Sequence, residues 1–516
     1  MSLASSVLGA CGSSTSKASS DFNWGSIMAH DVGTVVLRHL ASTAESTRTT
    51  RLISKDCRQL VDSRVHGLKA NLSALSSSQQ LTSRFPRLRR LSFERLSSSS
   101  SASQLLTQLV QQQPKLLVRL QELDLSSCFG LEADVLVQLL RGCSGLRSLA
   151  LPPLASSVQS NRHDFVEAIT THAGQLTQLL GAGDYICPAS VQLLPQLSQL
   201  QSLDIAPGPH SSLLLTPAAL QPLKQLHHLQ RLQLGNHLAR YDTFLLAGQL
   251  PQLSSLVFEY ADDSSASHAD LAPLMASSSL QELQLCNVIC SDEVLGVLAR
   301  TRVSKLTLRA GRFSASRKGA AALAQQLLAL QMRVNDADMQ AFAAALPALT
   351  GLRSLSLSVH RASETCTELM QAIFSLPQLQ SLALSSHYNG LKEAEASNLP
   401  LLPSLQRLSL SNHFNDTTLQ LLLRAAPSLR SLKLSSCSAV SDTGLTAVPQ
   451  LCSKLREVHL ELMRGAGAAG VAALAAGRCV ARVVVEGCRN VNSQECRSLQ
   501  QQLAGQKLDL EIVKLN

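Results

Sequence analysis

One glycine-rich stretch has a residue spacing that could serve phosphate binding. Gly465-Ala-Gly-Ala-Ala-Gly470 follows an apolar segment and resembles in its spacing a loop that cradles phosphate. However, the residues after it replace leucines with alanines in a helical pattern, and no second half of a nucleotide-binding fold follows. The chain also has no Gly-x-x-x-x-Gly-Lys-[Ser/Thr] loop, no Gly-x-Ser-x-Gly elbow and no His-Glu-x-x-His helix. These patterns predict a protein that is not an enzyme and needs no cofactor.

Cysteine pairs could bind a metal ion, but their spacing does not favour it. Cys286-x-x-x-Cys290 is one candidate pair, and Cys488 with Cys496 is another. Each pair lacks the second half of a zinc site, which needs four ligands in most structural cases. We therefore predict no metal site.

Four carboxylates each follow a predicted strand and precede a predicted helix. They belong to Ser-Asp or Asn-Asp pairs, namely Ser291-Asp292, Asn335-Asp336, Asn415-Asp416 and Ser441-Asp442. Side-chain oxygens at such positions can accept hydrogen bonds from the free N–H groups of a helix's first turn. We predict a structural role for these carboxylates rather than acid–base catalysis.

The elements that must position these residues repeat along the chain. Leu405-Gln-Arg-Leu-Ser-Leu410, Leu429-Arg-Ser-Leu-Lys-Leu434 and Leu455-Arg-Glu-Val-His-Leu460 each precede a segment with helical periodicity. Alternating apolar residues predict a short strand with one buried face, which the helix must cover. One such unit cannot bury both apolar faces alone, so neighbouring units must stack.

The same pattern extends over most of the chain, with a mean spacing of about 26 residues. Its sixteen copies start at Leu88, Leu120, Leu146, Leu176, Leu200, Leu229, Leu253, Leu280, Val303, Leu327, Leu352, Leu379, Leu405, Leu429, Leu455 and Val480. This is the signature of leucine-rich repeats. We therefore predict an α/β leucine-rich-repeat solenoid over residues 71–516, with a curved parallel sheet inside and helices outside. The serine tract at 97–103 is predicted to form a loop.

Several of the thirteen cysteines share one position in the repeat. Those directly after a predicted strand are Cys128, Cys286, Cys437 and Cys488. Their placement in register predicts free structural thiols, which fits a reducing compartment. The segment from Ser435 to Leu445 resembles the cysteine-containing subclass of leucine-rich repeats.

One side chain of each strand should point to the concave face, because side chains alternate along a strand. The candidates at this position are Asp124, Gln233, Gln284, Ser356, Ser409, Lys433 and His459, with Arg309 and Arg333 at the next exposed position. A surface that is mostly small and uncharged suits a protein or peptide. It lacks the aromatic anchors of many binding hot spots, which leaves the loops as an alternative binding surface.

The charge and hydropathy of the chain argue against nucleic-acid and membrane binding. The net charge is +9, from 45 basic and 36 acidic residues spread along 516 positions. A nucleic-acid groove should be far more basic, and no segment has the 18 or so continuous apolar residues of a membrane span. We expect a monomer that binds an unknown protein substrate, no nucleic acid and no membrane.

The first 70 residues do not follow the repeat. Residues 1–22 are rich in serine and poor in apolar groups, which predicts a disordered leader. Residues 23–70 have apolar residues at helical spacing, which predicts a small helical unit ahead of the solenoid. Within it, the stretches from Met28 to Leu40 and from Ile53 to Val61 resemble the two helices of an F-box. Ala29 stands where that family usually has proline, and Cys57 where it has tryptophan.

The resemblance to F-box proteins with leucine-rich repeats implies a function. Such proteins dock their helices on a Skp-type adaptor of a cullin–RING (SCF-type) ubiquitin ligase, and their repeats hold a substrate. The residues that the resemblance assigns to adaptor binding are Met28, Val32, Val36, Leu37, Leu40 and Ile53. It implies a substrate-recognition subunit in the cytoplasm, with the nucleus, the cytoskeleton or the cilium as alternatives.

The same apolar spacing allows a second interpretation. The N-terminal helices would then pack on the first repeat, around Leu72, Leu88 and Leu91, and shield its open edge from water. The chain would be a non-enzymatic protein-interaction scaffold with a cytoskeletal, ciliary or regulatory role. Both interpretations use identical periodicity, so the residues alone do not separate them.

Overall fold

The computed structural model describes residues 65–70, 85–93, 99–128, 133–152, 162–207, 215–259, 266–309, 312–360, 366–386, 400–477, 479–491 and 509–513. The chain divides into two compact units, unit 1 (Met1–Leu215) and unit 2 (Thr216–Asn516). The leader at 1–22, the six adaptor-binding candidates and most of the helical unit at 23–70 lie outside the described residues. The boundaries at 22 and 70 stay predictions.

All sixteen predicted repeats contain a strand that begins two residues after the first apolar residue. Leu429, for example, precedes a strand that begins at Ser431. The second and third leucines of this copy, Leu432 and Leu434, are fully buried. The predicted α/β leucine-rich-repeat fold is therefore confirmed, because the alternating leucines lie on the covered face of parallel strands.

Unit 1 contains six described strands that pair in parallel in chain order. They are β1 (Gly67–Ala70), β2 (Arg90–Phe93), β3 (Glu122–Asp124), β4 (Ser148–Ala150), β5 (Gln178–Leu180) and β6 (Ser202–Asp204). The α-helices between them are α1 (Ser99–Gln112), α2 (Pro114–Leu117), α3 (Ala133–Gly142) and α4 (Arg162–His172). Short 3₁₀ helices span Ala182–Asp184 and Ser190–Gln196.

Two features of unit 1 differ from the sequence expectation. The serine tract was predicted to be a loop, and this is wrong from Ser99 onward, because α1 begins there. Leu106 and Leu109 of α1 are buried, so packing overrides the weak helix propensity of serine.

Strand β1 precedes the first predicted repeat. Val65-His-Gly-Leu68-Lys-Ala70 fits the repeat pattern with alanine in the third position, which is the signal that could have found this strand.

Unit 2 continues the same architecture. Its parallel strands are β7 (Arg231–Gly235), β8 (Ser255–Glu259), β9 (Glu282–Cys286), β11 (Lys305–Arg309), β13 (Ala329–Asn335), β14 (Ser354–His360), β15 (Ser381–Ser386), β16 (Arg407–Asn412), β17 (Ser431–Ser435), β18 (Glu457–Glu461), β19 (Arg482–Glu486) and β20 (Asp509–Val513). A separate parallel pair joins β10 (Ile289–Cys290) to β12 (Arg312–Phe313).

Helices cover one face of this sheet. They are α5 (Tyr241–Gln249), α6 (His268–Leu271), α7 (Asp292–Leu298), α8 (Arg317–Ala321), α9 (Asp336–Ala345), α10 (Cys366–Phe374), α11 (Asp416–Ala425), α12 (Asp442–Leu451) and α13 (Ala468–Ala475). The segments Pro217–Gln225, Asn236–Leu238, Ala272–Ala276 and Leu346–Ala348 are 3₁₀ helices. Pro222 lies inside the first of these, where a proline cannot donate a backbone hydrogen bond.

Candidate protein-binding face

The most regular described strands of unit 2 bury one face and leave the other partly exposed. In β17 and β18 the second and fourth residues are buried, while the first, third and fifth are half-buried on the other side. We call this second side of β7 to β9, β11 and β13 to β19 the open face. Alternation along each strand determines which side chains lie on this face. The parallel register determines which of them are neighbours.

The third residues of the strands form one line across the open face, the central row. Register pairs join Gln233 to Val257 at one end and His459 to Val484 at the other. Six predicted site residues lie in this row, namely Gln233, Gln284, Ser356, Ser409, Lys433 and His459. Val257, Thr307 and Val484 also belong to it but are buried, so the row is not evenly exposed.

Asp124, the remaining predicted site residue at this position, lies on β3 in unit 1. Its Oδ1 accepts hydrogen bonds from the backbone N–H of Ser126 at 3.0 Å and from the Ser126 hydroxyl at 2.6 Å. The carboxylate therefore holds the turn after β3, in the way that aspartate commonly bonds the backbone two residues on.

From β11 to β19 the fifth residues of the strands form a second line, the outer row, which comes after Glu259 on β8 and Cys286 on β9. Arg309 and Arg333 lie in it two residues beyond the register pair Thr307 and Gln331. From Arg333 the row continues in register through Ser358, Ser385, Ser411, Ser435, Glu461 and Glu486. The serines were not among the predicted site residues, although their recurrence at one position in four successive repeats is visible in the sequence.

One end of the outer row is positively charged. Nη1 of Arg309 lies 3.8 Å from Oε1 of Glu259, which is longer than a charge-assisted hydrogen bond. Among the described residues, no carboxylate forms an ion pair with Arg333. Both guanidinium groups are exposed and line a depression of about 420 Å³ whose floor includes Ser356, Ser358 and other short side chains.

The other end of the open face carries carboxylates. Nζ of Lys433 lies 2.8 Å from Oε2 of Glu461, and this hydrogen bond holds the pKa of Glu461 below its ordinary value. Nε2 of His459 lies 3.3 Å from Oε2 of Glu486. Lys433 and His459, both predicted site residues, are thus brought next to acidic side chains of the outer row.

The carboxylates that follow the strands have a structural role of a particular kind. The helix caps are made by the residue before each aspartate: Ser291, Asn335, Asn415 and Ser441 accept a hydrogen bond from the first turn. Three of the aspartates instead accept hydrogen bonds from the next repeat, Asp292 from Ser316, Asp416 from Ser441 and Asp442 from Gly467. These aspartates connect repeats rather than cap helices.

Close packing accounts for the glycine spacing at 465–470. A Cβ at Gly465 would lie 2.4 Å from the carbonyl oxygen of Val440, and one at Gly470 would lie 2.5 Å from Oδ1 of Asp442. Both distances are shorter than any tolerated contact with a carbon atom. The glycines are therefore required because the preceding repeat lies against them.

The nine cysteines whose side chains the structure describes are all free thiols. The Sγ atoms of Cys286 and Cys437 donate to the carbonyl oxygens of Phe258 and Leu410, each in the preceding repeat. Burial raises the pKa of Cys437 to about 11 and that of Cys290 to about 12. These thiols fill small spaces between repeats, as the register of the sequence predicts.

Within the described part of the chain, no three histidine, cysteine or acidic side chains are grouped as a metal ion would require. In the same residues, no helix has the length and hydrophobicity needed to cross a membrane.

Comparisons with known proteins support the repeat assignment. Residues 343–497 match the family model described as "FBD-associated F-box protein At5g56370, LRR repeats". This range includes β14 to β19, the most regular strands of unit 2. A comparison with curated protein sequences gives no match.

Solved structures of low sequence identity are similar to the chain over most of its length. A leucine-rich-repeat protein of Leptospira interrogans is 16% identical, with a TM-score of 0.32, and the match covers 89% of this chain and 98% of that one. The yeast Rad7 and Elc1 complex contains a chain that is 14% identical, with a TM-score of 0.37, and the match covers 92% of this chain and 96% of that one. The repeated strands and helices of the described residues, with the family-model match at 343–497, give this chain a leucine-rich-repeat fold.

Proposed function

We propose that this chain is a non-enzymatic recognition protein, in which the open face of unit 2 binds a partner protein and residues 23–70 dock a Skp-type adaptor. In this proposal it is the substrate-recognition subunit of an SCF-type cullin–RING ubiquitin ligase. The observation that carries the binding role is the open face itself, where two rows of polar side chains cross successive strands in register.

The chemistry of the open face supports binding rather than catalysis. Its residues are mainly serine, glutamine and charged side chains, which form hydrogen bonds with a peptide backbone and with polar side chains. The short serines of β14 to β16 leave space above the sheet for a bound segment. Such a surface recognises protein through many modest contacts.

Two observations support the adaptor role. The N-terminal segment resembles an F-box in the order of its apolar residues, and the family model that matches residues 343–497 describes the repeats of an F-box protein. Of the residues assigned to the adaptor, Val36 and Leu37 are adjacent, so one double substitution tests the whole apolar face.

The test is co-purification of the full chain with a purified Skp-type adaptor. We expect the intact chain to bind and Val36→Asp/Leu37→Asp to lose binding, because a carboxylate that is desolvated without a partner is strongly disfavoured. Val118→Asp is the matched control, since Val118 is 56% exposed on unit 1 and lies outside the proposed docking segment.

Circular dichroism must show unchanged repeats in all three proteins. If the intact chain does not bind the adaptor, the ligase assignment is wrong. The predicted helical unit at 23–70 would then be a cap, and the chain a protein-interaction scaffold.

A further inference from the structure

The order of the charged side chains along the outer row indicates which charges a ligand must carry. It begins with Arg309 and Arg333, continues through four serines, and ends with Glu461 and Glu486. Basic and acidic ends are therefore separated by uncharged strands on one continuous sheet of unit 2. A ligand lying along this row meets positive charge first and negative charge last.

The basic end can accept an acidic side chain. Arg333 forms no ion pair with any residue that the structure describes, and Arg309 is only loosely paired with Glu259 at 3.8 Å. The two arginines are on neighbouring strands, about 4.8 Å apart in the direction across the sheet. Two guanidinium groups at this spacing can donate together to one carboxylate or to two adjacent ones.

The middle of the row can accept an extended backbone. Ser358, Ser385, Ser411 and Ser435 are all half-buried, and each hydroxyl can both donate and accept a hydrogen bond. Ser358, Ser385 and Ser411 line the depression of about 420 Å³ that also contains the two arginines, and Ser435 follows them in register. An uncharged segment with small side chains fits this floor, whereas charged side chains would be desolvated there without partners.

The acidic end can accept a basic side chain. Glu461 and Glu486 are neighbours in register; Glu461 is bonded to Lys433 and to the Ser435 hydroxyl, and Glu486 lies beside His459. An ionised carboxylate has about four acceptor positions on its two oxygens, so two partners leave capacity for another donor. Two carboxylates beside one lysine and one histidine also leave this end with an excess of acceptors.

The distance between the basic and acidic ends of the outer row sets the spacing of the charged groups in the ligand. Five strand-to-strand steps separate Arg333 on β13 from Glu461 on β18. At about 4.8 Å a step, the distance is about 24 Å, and an extended chain covers it with about seven residues.

We propose that the open face binds an extended protein segment with an acidic group at one end and a basic group about seven residues away. The acidic group lies at Arg309 and Arg333, and the basic group at Glu461 and Glu486. This inference rests on the proposed function of the open face, and it names the chemistry of the segment that the face selects.

Fluorescence anisotropy with the full chain and labelled peptides tests it. The matched peptide has two aspartates and two lysines separated by about six alternating glycines and serines. A second peptide has the same composition with the charges interleaved, and a third has a spacer of about two residues. We expect the matched peptide to bind about tenfold more tightly than either, with an affinity that falls as salt is raised.

Variants locate the contact. Arg309→Gln/Arg333→Gln should lower the affinity for the matched peptide about tenfold. The control Arg317→Gln/Arg424→Gln, which changes two exposed arginines on helices, should leave this affinity unchanged. The Arg333→Glu variant should bind a peptide whose aspartates are replaced by lysines more tightly than it binds the matched peptide. A merely structural role for Arg333 would not produce this reversal.

Equal affinity for the matched and interleaved peptides, or no measurable binding of either, overturns the inference. Adaptor co-purification involves none of these residues, so the two failures are distinguishable. If the chain binds the adaptor but does not prefer the matched peptide, only the proposal about the bound segment is wrong. If it prefers the matched peptide but does not bind the adaptor, only the ligase assignment is wrong.

Discussion

The carboxylate of Asp416 accepts two hydrogen bonds from Ser441 in the next repeat. The backbone N–H of Ser441 donates to Oδ1 at 2.8 Å, and its hydroxyl donates to Oδ2 at 2.5 Å. Asp416 is the first residue of α11, and Ser441 is the residue that caps α12. The start of one helix therefore determines where the next helix begins.

This contact also explains a glycine in the following helix. A Cβ at Gly444 would lie 2.1 Å from Oδ1 of Asp416. The same relationship occurs between Asp292 and Gly319, where the distance would be 2.0 Å. The carboxylate that connects two repeats thus occupies the space that a side chain on the next helix would need.

We predict that Gly444→Ala destabilises the protein by about 1–2 kcal/mol. Overpacking costs about 1–3 kcal/mol, and the better helix propensity of alanine returns up to about 1 kcal/mol. Gly296→Ala is the matched control, because a Cβ there meets nothing within 4 Å inside α7, and it should be neutral or stabilising. Urea unfolding followed by circular dichroism compares the two.

A double substitution checks the cause. Asp416→Ala removes both the hydrogen bonds to Ser441 and the obstacle to a methyl group at Gly444. The cost of Asp416→Ala/Gly444→Ala should therefore be smaller than the sum of the single costs by at least about 0.5 kcal/mol. Additive costs would show that Asp416 is not what excludes a side chain from position 444.

We predict that Leu434→Ala destabilises unit 2 by about 2–5 kcal/mol, because Leu434 is fully buried between repeats. Leu462→Ala is the control in the next repeat. Leu462 is 44% exposed, so its truncation should change the free energy of unfolding by less than about 0.5 kcal/mol. Similar losses in both variants would contradict the burial of the leucine face.

The thiols give a prediction about redox state and reactivity. Thiol titration in denaturant without reductant should find thirteen free thiols, the number in the sequence. In the native protein at pH 8, the buried Cys143 and Cys452 should react slowly, because burial raises their pKa to about 12 and about 11. The exposed Cys479 should react faster than either of them. Loss of two or more thiols in the denatured sample would indicate disulfides.

The same thiols predict a loss of stability at alkaline pH. A thiol whose folded-state pKa is raised from 9.0 stabilises the fold fully below pH 9, and this contribution is lost as the pH rises through the folded-state value. The urea midpoint should therefore fall above pH 9. Cys143→Ala/Cys452→Ala should show a shallower fall over the same range. An identical fall in both proteins would assign it to other groups.

The ion pair between Lys433 and Glu461 predicts a small effect in acid. The folded-state pKa of Glu461 lies below its ordinary value of 4.5, so the pair contributes stability above pH 4.5 that is lost as the pH falls through the folded-state pKa. Because Lys433 is 43% exposed, Glu461→Gln should cost less than about 1 kcal/mol at pH 7. The two proteins should become equally stable at low pH. A difference that persists there would mean that glutamine disturbs packing instead.

The sequence by itself determined the parts of this protein that depend on local geometry. Side chains alternate along any strand, so Leu432 and Leu434 had to lie on one face and Lys433 on the other. The residues Asn415 and Ser441 were recognisable as helix starts, because their side chains bond to backbone only three residues away or less. Periodicity of this kind needs no knowledge of the neighbouring repeat.

Only the tertiary structure decided which groups from different repeats meet. Asp416 reaches Ser441, 25 positions on, and Lys433 reaches Glu461 rather than another acidic residue, because stacking sets the register between segments whose spacing varies from repeat to repeat. The helix at Ser99 also depends on packing, because burial of Leu106 and Leu109 outweighs the weak helix propensity of serine. Contacts between repeats stabilise the fold through interactions that no single repeat contains.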